Sequence, residues 1–480
     1  MKRTYCIGID IGTGSTKAVS VDITGKAFHT EQVSYPTLSS QPGLSEQAPE
    51  LIWQAFVKCI SRTIKFNNEV PYGIALSSAM HSLIPADPLG QPLMNMITWA
   101  DNRSASIAEQ VRVSSLGEVL YEQTGTPIHA MSPLCKIIWL RENEPALFKQ
   151  THKFISIKEY IWFRLFGVFE ADYSIASATG LFDIEKLRWN DNALDLCQIT
   201  TAKLSTPVST NHQRTGIDKS LQEQTGLTAS TSFLIGASDG CMASLGSLAM
   251  EPGVAALTIG TSGAIRVAGT KPTYNFKAMT FNYWLDDHTF ISGGPINNGG
   301  AVLKWYAQSF LKKPLTSADD YNSILQELND TPPGAEGLLF LPYLFGERAP
   351  VWNSEACGVF FGINNHHTQA HFTRSVIEGI SMALYNIGAY LEESGLPFHE
   401  INVSGGFIHS PAWVQIMADI FGKPIAIIGT EDASAVGAAY LSFKTNGYIT
   451  GYDSLKPTAV KKFLPREESH LLYRDKVFPL

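Results

Sequence analysis

Apolar residues recur along the chain with two different periods. Residues 5–9 are rich in β-forming side chains, and residues 18–21 resume the same composition after a short polar turn, which predicts a β-hairpin. From residue 49 to residue 64 apolar side chains return at helical spacing, and residues 72–76 then predict another strand. Strands followed by a helix and a further strand indicate a mixed α/β layer.

The second half of the chain offers the same parts in the same order. Residues 258–267 predict a strand, a turn and a strand, residues 289–292 a further strand, and residues 368–393 a long helix that Gly395 ends. The segment IGTGSTKAV at residues 11–19 returns as IGTSGAIRV at residues 259–267, which indicates a duplicated α/β unit. We therefore predict two similar domains, residues 1–246 and 247–480, that meet near the structure-breaking Glu251-Pro252-Gly253.

Composition and charge narrow the class of protein. The chain of 480 residues exceeds what one hydrophobic core usually fills, and its formal net charge of −8 gives no electrostatic reason to bind nucleic acid or an anionic membrane. No apolar run reaches the roughly 18 residues that a membrane-spanning helix needs. The six cysteines are scattered without a CxxC pair and predict reduced core thiols. The expectation is a cytoplasmic protein with no nucleic-acid or membrane partner.

Two glycine-rich turns are candidate phosphate loops. Backbone N–H groups that converge in a turn make an anion site, and glycine lets phosphate oxygens approach them closely. The first turn contains Thr13, Gly14 and Ser15, and the second contains Gly260 and Thr261. The alternative is a pair of ordinary hairpins in which glycine only permits a positive φ.

Further candidates border these turns. Asp10 would repel a bare phosphate, but it suits a Mg²⁺ ion, which prefers carboxylate and phosphate oxygens. Lys17 and Arg266 hold corresponding places in the two repeats, although alternate residues of a strand face opposite sides. A third cluster, Gly405 and Gly406, lies between a predicted strand and a helix at residues 413–421, where α/β proteins commonly bind ligands. A plain strand-to-helix turn is the alternative for this cluster.

Asp239 is the candidate catalytic base. It ends a short strand and opens a helix predicted over residues 241–250, a position where aspartate is most often a helix cap. As a catalytic group it is expected to stay ionised, because a helix N-terminus favours the anion. An aspartate with an ordinary pKa of about 3.9 can aim a hydroxyl group and accept its proton during phosphoryl transfer.

A strip of polar side chains in the first half suggests a polyol site. His81 follows the strand at residues 72–76, and Trp99, Asp101 and Arg103 come soon after it. The carboxylate and the nitrogen donors can bind hydroxyl groups, while the indole supplies an apolar face. The alternative is a tryptophan in the core beside a solvated turn.

Two long segments, taken with the features above, resemble the FGGY family of carbohydrate kinases. MSPLCKIIWLREN at residues 131–143 is similar to the first signature of that family, and GVFFGINNHHTQAHFTRSVIE at residues 358–378 is similar to the second. With DASAVGAA at residues 432–439, the resemblance extends from Tyr5 to Tyr440. It implies an α/β fold of two duplicated ribonuclease-H-like domains, as in actin-like ATPases, with a cleft between the domains.

The resemblance also implies roles for the candidate residues. Asp239 becomes the general base and Asp10 the carboxylate associated with Mg²⁺, with ATP as the phosphoryl donor. The implied sugar site comprises His81, Trp99, Asp101 and Arg103. The implied ATP site comprises Thr13, Gly14, Ser15, Lys17, Gly260, Thr261, Gly405 and Gly406. Many members of the family carry Thr or Ser at the place of Gly14, so backbone N–H groups are expected to replace a side-chain donor here.

Shorter segments indicate the substrate. AMHS at residues 79–82, ITWADNRS at 97–104 and FGERAPVWN at 345–353 are most similar to the gluconate kinases of the family, which implies phosphorylation of D-gluconate to 6-phosphogluconate. A carboxylate substrate calls for a cation such as Arg103 or Arg348, but the motif of Arg103 is shared with kinases of neutral sugars. Xylulose or another pentose or polyol is the alternative substrate, and an actin-like or heat-shock-like ATPase is the alternative class. A homodimer is a further expectation from the resemblance.

Overall fold

The computed structural model describes residues 4–286, 288–315, 318–329, 331–429, 432–455 and 460–479. The strands of the first half are β1 Tyr5–Ile11, β2 Ser15–Asp22, β3 Ala27–Ser34, β4 Glu46–Gln47, β5 Gly73–Ser78, β6 Ile84–Ala86, β7 Met96–Ile97, β8 Lys153–Ile155, β9 Glu170–Asp172, β10 Phe182–Asp183, β11 Arg188–Trp189, β12 Thr206–Val208, β13 Gln213–Arg214 and β14 Ser232–Ser238. Its helices are α1 Pro49–Asn67, α2 Ala105–Val113, α3 Gly117–Thr124, α4 Pro133–Asn143, α5 Pro145–Gln150, α6 Ile157–Phe166, α7 Tyr173–Ser177, α8 Asp191–Cys197, α9 Lys219–Thr225 and α10 Asp239–Gly246.

The second half has fewer and longer elements. Its strands are β15 Val254–Ile259, β16 Gly263–Gly269, β17 Phe281–Asp286, β18 Thr289–Ile296, β19 Leu339–Leu341, β20 Val359–Phe361, β21 Glu400–Ser404, β22 Ile425–Ile428 and β23 Val460–Phe463. Its helices are α11 Gly300–Trp305, α12 Ala318–Leu325, α13 Gln369–Glu393, α14 Pro411–Phe421, α15 Ala433–Thr445 and α16 Glu467–Leu472.

The two main sheets are built on one plan. In the first, with strand order β13-β14-β5-β1-β2-β3, the strands β1, β2 and β3 are antiparallel, and β5 and β14 continue the sheet as parallel strands. In the second, with order β17-β18-β16-β15-β21-β22-β23, β15, β16 and β18 are antiparallel and β21 and β22 are parallel additions. The shared plan confirms the predicted duplication and the two-domain α/β class.

The predicted periodic elements are present with small changes at their ends. The helix predicted over residues 49–64 is α1, and the helix predicted over residues 368–393 is α13, whose C-cap Ser394 is followed by Gly395 with a φ of 87°. The helix predicted over residues 241–250 is instead α10, which begins two residues earlier and ends at Gly246. A left-handed glycine after the cap and apolar stripes are local features, and for that reason the sequence reveals them.

Long connections extend each sheet toward the site. The strands β5 and β14 are neighbours in the first sheet, yet residues 79–231 separate them and contain the helices α2 to α9. Between β18 and α13, residues 297–368 form a second long connection. The first connection carries the polar strip of residues 81–103, and the second carries Arg348.

Glycines allow the two halves to pack backbone against backbone. A Cβ atom at Gly437 in α15 would lie 2.0 Å from the Met242 carbonyl oxygen in α10, and one at Gly246 would lie 1.9 Å from the Ala433 carbonyl oxygen. A Cβ atom at Gly8 of β1 would lie 1.8 Å from the carbonyl oxygen of Ala435. These approaches seat α15 of the second half against α10 and β1 of the first.

We expect Gly437→Ala to destabilise the protein by about 2 kcal/mol, because the new methyl group must displace backbone on the facing helix. Thermal unfolding followed by circular dichroism measures the effect as a lowered Tm. The matched control is Gly429→Ala, since a Cβ atom at Gly429 meets nothing within 4 Å. Equal melting temperatures for the two variants would contradict the close approach.

Two findings concern membrane-spanning helices and the cysteines. No helix within the described ranges is long and apolar enough to cross a membrane. All six cysteines are free thiols, and five of them are buried as predicted. Cys357 is exposed, which corrects the prediction that it lies in the core, because it follows a surface turn rather than an apolar stripe.

Candidate active site

A cavity of about 770 Å³ lies between the two halves. Trp99, Asn102 and His129 line it from the first half, and most of its wall comes from the second. The lining residues of the second half include Gly260, Thr261, Ser262, Asn297, Lys304, Arg348, Gly406 and Trp413. The cavity therefore joins the predicted sugar strip, at Trp99, to the second predicted phosphate loop.

The second candidate phosphate loop connects β15 to β16, and α11 packs against it. The Gly300 N–H donates to the Gly260 carbonyl oxygen at 2.8 Å, and the Ala301 N–H donates to the Thr261 carbonyl oxygen at 3.1 Å. A Cβ atom at Gly300 would lie only 2.6 Å from the Gly260 oxygen, so this contact needs glycine. Gly260 itself faces open space and Thr261 is exposed, which leaves the loop accessible from the cavity.

Gly405 and Gly406 border the same loop. Gly405 has a φ of 102°, and a Cβ atom there would lie 2.2 Å from the Ile259 carbonyl oxygen at the end of β15. Only glycine combines this left-handed conformation with so close an approach. Gly406 lines the cavity with nothing within 4 Å of its Cβ position. The structure thus brings the third glycine cluster next to the second loop.

The first loop is tied to its surroundings through most of its side chains. The Trp99 indole N–H donates to Thr13 Oγ1 at 2.8 Å, and Gln32 Nε2 donates to Ser15 Oγ at 3.0 Å. Lys17 Nζ forms an ion pair with Asp432 at 2.6 Å, which links the two halves. Gly14 faces open space. In this conformation Lys17 is directed at Asp432, while Thr13 couples the first loop to the sugar strip.

Asp10 is the next-to-last residue of β1, which leads into the first loop. Ser77 Oγ donates to Asp10 Oδ1 at 2.9 Å. Burial raises the pKa of the Asp10 carboxyl to about 7, and the neighbouring charge of Asp239 adds to the shift. Lys17, its cross-strand partner, acts in the opposite direction. The charges of the two carboxyl groups therefore interact, and a cation between them would favour their ionised forms.

Asp239 is the first residue of α10 and does not cap it. The cap is Ser238, whose Oγ accepts the Cys241 N–H at 3.4 Å, which corrects the cap interpretation of Asp239. Asp239 Oδ1 accepts the Gly240 N–H at 2.7 Å. Burial raises the pKa of Asp239 above its ordinary value, although the charge of Arg266 opposes the shift. Desolvation outweighs the helix N-terminus, contrary to the expected ordinary pKa, and makes the carboxylate a stronger base.

Two arginines lie beside Asp239, of which Arg348 was a candidate cation for a substrate carboxylate and Arg266 was noted only as the counterpart of Lys17. Nε and Nη1 of Arg266, in β16, are buried and lack a hydrogen-bond partner within the described part of the chain. Arg348 stacks over the Trp99 ring at 4.8 Å and donates from Nη2 to the Ile296 carbonyl oxygen at 2.9 Å. Their positions in the sequence are what indicates them, since Arg266 lies in the repeated segment IGTSGAIRV and Arg348 lies in FGERAPVWN.

His81 bridges the halves as a neutral imidazole. Burial lowers the pKa of His81 to about 3, so the ring carries one proton. Its Nδ1 lies 2.7 Å from the Ala178 carbonyl oxygen, which can only accept a hydrogen bond, so the proton is on Nδ1. Nε2 then accepts from the Tyr283 hydroxyl at 3.2 Å. Both ring nitrogens are thus occupied by the protein in this conformation.

Asp101 and Arg103 are bonded mainly to each other. Arg103 donates from Nε and Nη2 to the two Asp101 oxygens at 2.8 and 2.9 Å, and from Nη2 to Glu46 at 2.6 Å. Asp101 is fully buried and also accepts the Ser45 N–H at 2.7 Å. The pair fixes the loop that carries Trp99, and it does not lie in the lining of the cavity.

Lys136 supports the strip from beneath and was not singled out from the sequence. Its fully buried Nζ donates to the carbonyl oxygens of His81 and Thr98, at 2.5 and 2.8 Å. His81 has a φ of 64°, a conformation that a side chain rarely adopts without such support. The lysine of the first quoted signature therefore holds the two segments of the strip together.

Comparisons with known proteins agree with this architecture. Residues 5–246 match the N-terminal domain, and residues 255–445 the C-terminal domain, of the FGGY family of carbohydrate kinases. A gluconokinase of Bacillus licheniformis is 38% identical over 99% of this chain and 94% of its own length. Two solved structures from Lactobacillus acidophilus, a gluconate kinase and a ligand-bound xylulose kinase, each superpose with a TM-score of 0.93 at 33% identity, covering 99% of this chain and 96% of theirs.

Proposed function

The chain belongs to the FGGY family of carbohydrate kinases, and we propose that it transfers the γ-phosphoryl group of ATP to the terminal hydroxyl of D-gluconate. The products are ADP and 6-phosphogluconate. The proposal is supported by the likeness to gluconokinases along nearly the whole chain.

The observation that carries the proposal is the positive charge around Asp239. Arg266 and Arg348 both interact electrostatically with Asp239, and both keep buried guanidinium nitrogens without partners among the described residues. A neutral sugar offers such donors only hydroxyl oxygens, whereas a sugar acid offers a carboxylate. The site thus favours an anionic substrate, which distinguishes gluconate from xylulose.

Asp239 is the group proposed to receive the proton. As the bond from the γ-phosphorus to the bridging oxygen breaks, the sugar hydroxyl oxygen bonds to phosphorus and its proton passes to Asp239. A raised pKa suits this role, since a carboxylate that binds a proton more tightly is a stronger general base. Closure of the halves over the cavity would exclude water and prevent hydrolysis of ATP.

A Mg²⁺ ion fits the carboxylate of Asp10. The carboxyl groups of Asp10 and Asp239 repel each other in a buried space, and a divalent cation would relieve that cost. When bound, Mg²⁺ neutralises charge on the nucleotide phosphates. Within the described residues no cluster of three or more metal-ligating side chains exists. A magnesium ion held by one carboxylate, phosphate oxygens and water needs none.

Two alternatives remain distinct from this proposal. A xylulose kinase has the same fold, as the Lactobacillus structure of that name illustrates, but its neutral substrate would offer no carboxylate to the unpartnered guanidinium nitrogens beside Asp239. An ATPase without a sugar substrate has no use for the tryptophan that joins the first loop to the cavity. Cytoplasmic location and a homodimer stay predictions, and light scattering after size exclusion measures the second.

A substrate panel tests the proposal. We expect coupled ADP production to be at least about 100-fold more efficient in kcat/KM with gluconate than with xylulose, ribulose or glycerol, since a lost charged contact costs about that factor. ATP turnover without sugar should be slow. If gluconate is inert while a ketose reacts, the substrate is wrong, and rapid ATP turnover that ignores every sugar would favour the ATPase.

A further inference from the structure

The arginines near the cleft differ in how many of their hydrogen-bond donors have a partner within the protein. Arg103 donates from Nε and Nη2 to Asp101 and Glu46. Arg348 donates from Nη2 to the Ile296 carbonyl oxygen, and its guanidinium plane stacks on Trp99. Its Nε is buried and has no hydrogen-bond partner among the described residues. Arg266 has two such donors, Nε and Nη1, which are both buried and without a partner among the described residues.

Arg266 points toward the catalytic base. A Cβ atom at Gly240, the residue after Asp239, would lie 3.2 Å from Arg266 Nε and 3.3 Å from the Met80 methyl group. The missing side chain at position 240 therefore lets the guanidinium group pack closely against the start of α10. The charges of Arg266 and Asp239 interact, yet neither orphaned nitrogen is hydrogen-bonded to the Asp239 carboxylate.

A buried guanidinium with unmade hydrogen bonds costs the folded protein free energy. Such a group is explained when a ligand supplies the acceptors, and a carboxylate matches the planar fork of arginine. The corresponding cation of the first repeat, Lys17, has its own partner in Asp432. Arg266 has no such partner within the described residues.

Two anions are candidates for Arg266, the transferred phosphate and the substrate carboxylate. The Cα atom of Arg266 lies three residues into β16 from Gly263, about 10 Å along the strand from the second glycine-rich turn, which favours the carboxylate. Asp239, which receives the proton of the reacting hydroxyl, is charge-coupled to Arg266. An open-chain acid extends its carboxylate several bonds beyond that hydroxyl, away from the nucleotide.

Resting on the proposed function, we propose that Arg266 binds the substrate carboxylate and is the residue that separates sugar acids from neutral sugars. Arg348 lines the cavity, and its stacking on Trp99 joins the second half to the first.

The test compares D-gluconate with D-gluconamide, which replaces the carboxylate by a neutral amide of nearly the same shape. The variants are Arg266→Met, which keeps the bulk and removes the charge, and Arg266→Lys, which keeps the charge and loses the fork. Arg62→Met is the matched control, because Arg62 is 49% exposed on the surface and its loss changes net charge by the same amount. Coupled ADP assays and thermal shifts are measured for each protein.

For wild-type protein we expect kcat/KM for gluconate to exceed that for gluconamide by about 100-fold. Arg266→Met should reduce this ratio to a few-fold through a higher KM for gluconate, with gluconamide turnover and the thermal shift on adding ADP retained. Arg266→Lys should recover part of the ratio. Without ligand, Arg266→Met should melt no lower than wild type, because it removes unmet hydrogen bonds, and gluconate should no longer raise its Tm.

Three outcomes overturn the inference in distinguishable ways. If Arg266→Met keeps the preference for gluconate, Arg266 does not bind the carboxylate, although the proposed function stands. If the variant loses kcat equally for both compounds, the arginine serves phosphoryl transfer. If wild-type protein neither phosphorylates gluconate nor is stabilised by it, the proposed function is wrong and the inference falls with it.

Discussion

Asp239→Asn is expected to lower kcat for gluconate phosphorylation by about 10³-fold, within the range that loss of a general base produces. The amide keeps the shape of the side chain and can still accept the Gly240 N–H, so the fold and α10 are preserved. It cannot receive the proton of the hydroxyl group. KM for both substrates should change little, because the carboxylate acts on the reacting hydrogen rather than on binding.

The pH dependence of kcat provides a second test of the role of Asp239. Because the pKa of Asp239 is raised, wild-type kcat should fall as the pH drops through that pKa and the base becomes protonated. The residual activity of Asp239→Asn should lack this acidic limb. Steady-state rates from pH 5 to 9 measure both, with Tm as the check on folding. A variant with near wild-type kcat would remove Asp239 from the role of base.

Asp10→Asn is expected to raise stability and abolish most activity at once. The pKa of Asp10 is raised from 3.8 to about 7 in the folded protein, so the folded state binds the proton more tightly than the unfolded chain. Wild-type stability from this group is therefore full below the unfolded pKa and is lost as the pH rises through the folded pKa. Asparagine carries no charge to bury and avoids that loss.

Thermal unfolding of the protein without nucleotide measures this effect. The Tm of Asp10→Asn should exceed that of wild type by a margin that grows from about pH 4 to pH 8. At the same time kcat/KM for ATP should fall about 100-fold or more and the requirement for Mg²⁺ should rise, since the proposed carboxylate for the ion is lost. Asp191→Asn, at a carboxylate whose side chain is 71% exposed, is the control. A margin that does not change with pH would contradict the buried charge.

The parts of the fold that follow local rules were predictable. The hairpins of β1 with β2 and of β15 with β16, and the helices α1 and α13, follow from periodicity, turn residues and glycine caps. The echo of one glycine-rich segment also predicted the duplication. The long connections were not predictable in shape, because their short strands and helices are stabilised by contacts with distant residues rather than by their own pattern.

The polar strip shows where prediction by spacing fails. Asp101 and Arg103 are close in sequence to Trp99, yet Glu46 and Ser45, more than fifty residues earlier, complete a closed set of bonds around them. That pairing directs their charges inward. A charged side chain is either bonded within the protein or free to bind a ligand, depending on the partners that other elements place beside it. The spacing of residues along the sequence does not contain this information.

The sequence by itself determined the duplicated α/β plan, the two glycine-rich turns as candidate phosphate loops, and Asp239 as the candidate base, since each rests on local periodicity, glycine geometry or a repeated motif. Only the tertiary structure decided that Lys17 is paired with Asp432 and that Arg266 retains unmet donors beside Asp239. It also raised the pKa values of Asp10 and Asp239. The physical reason is that burial and ion pairing arise from the packing of the two halves. The pKa of a group and the energy of its charge interactions depend on that surrounding structure.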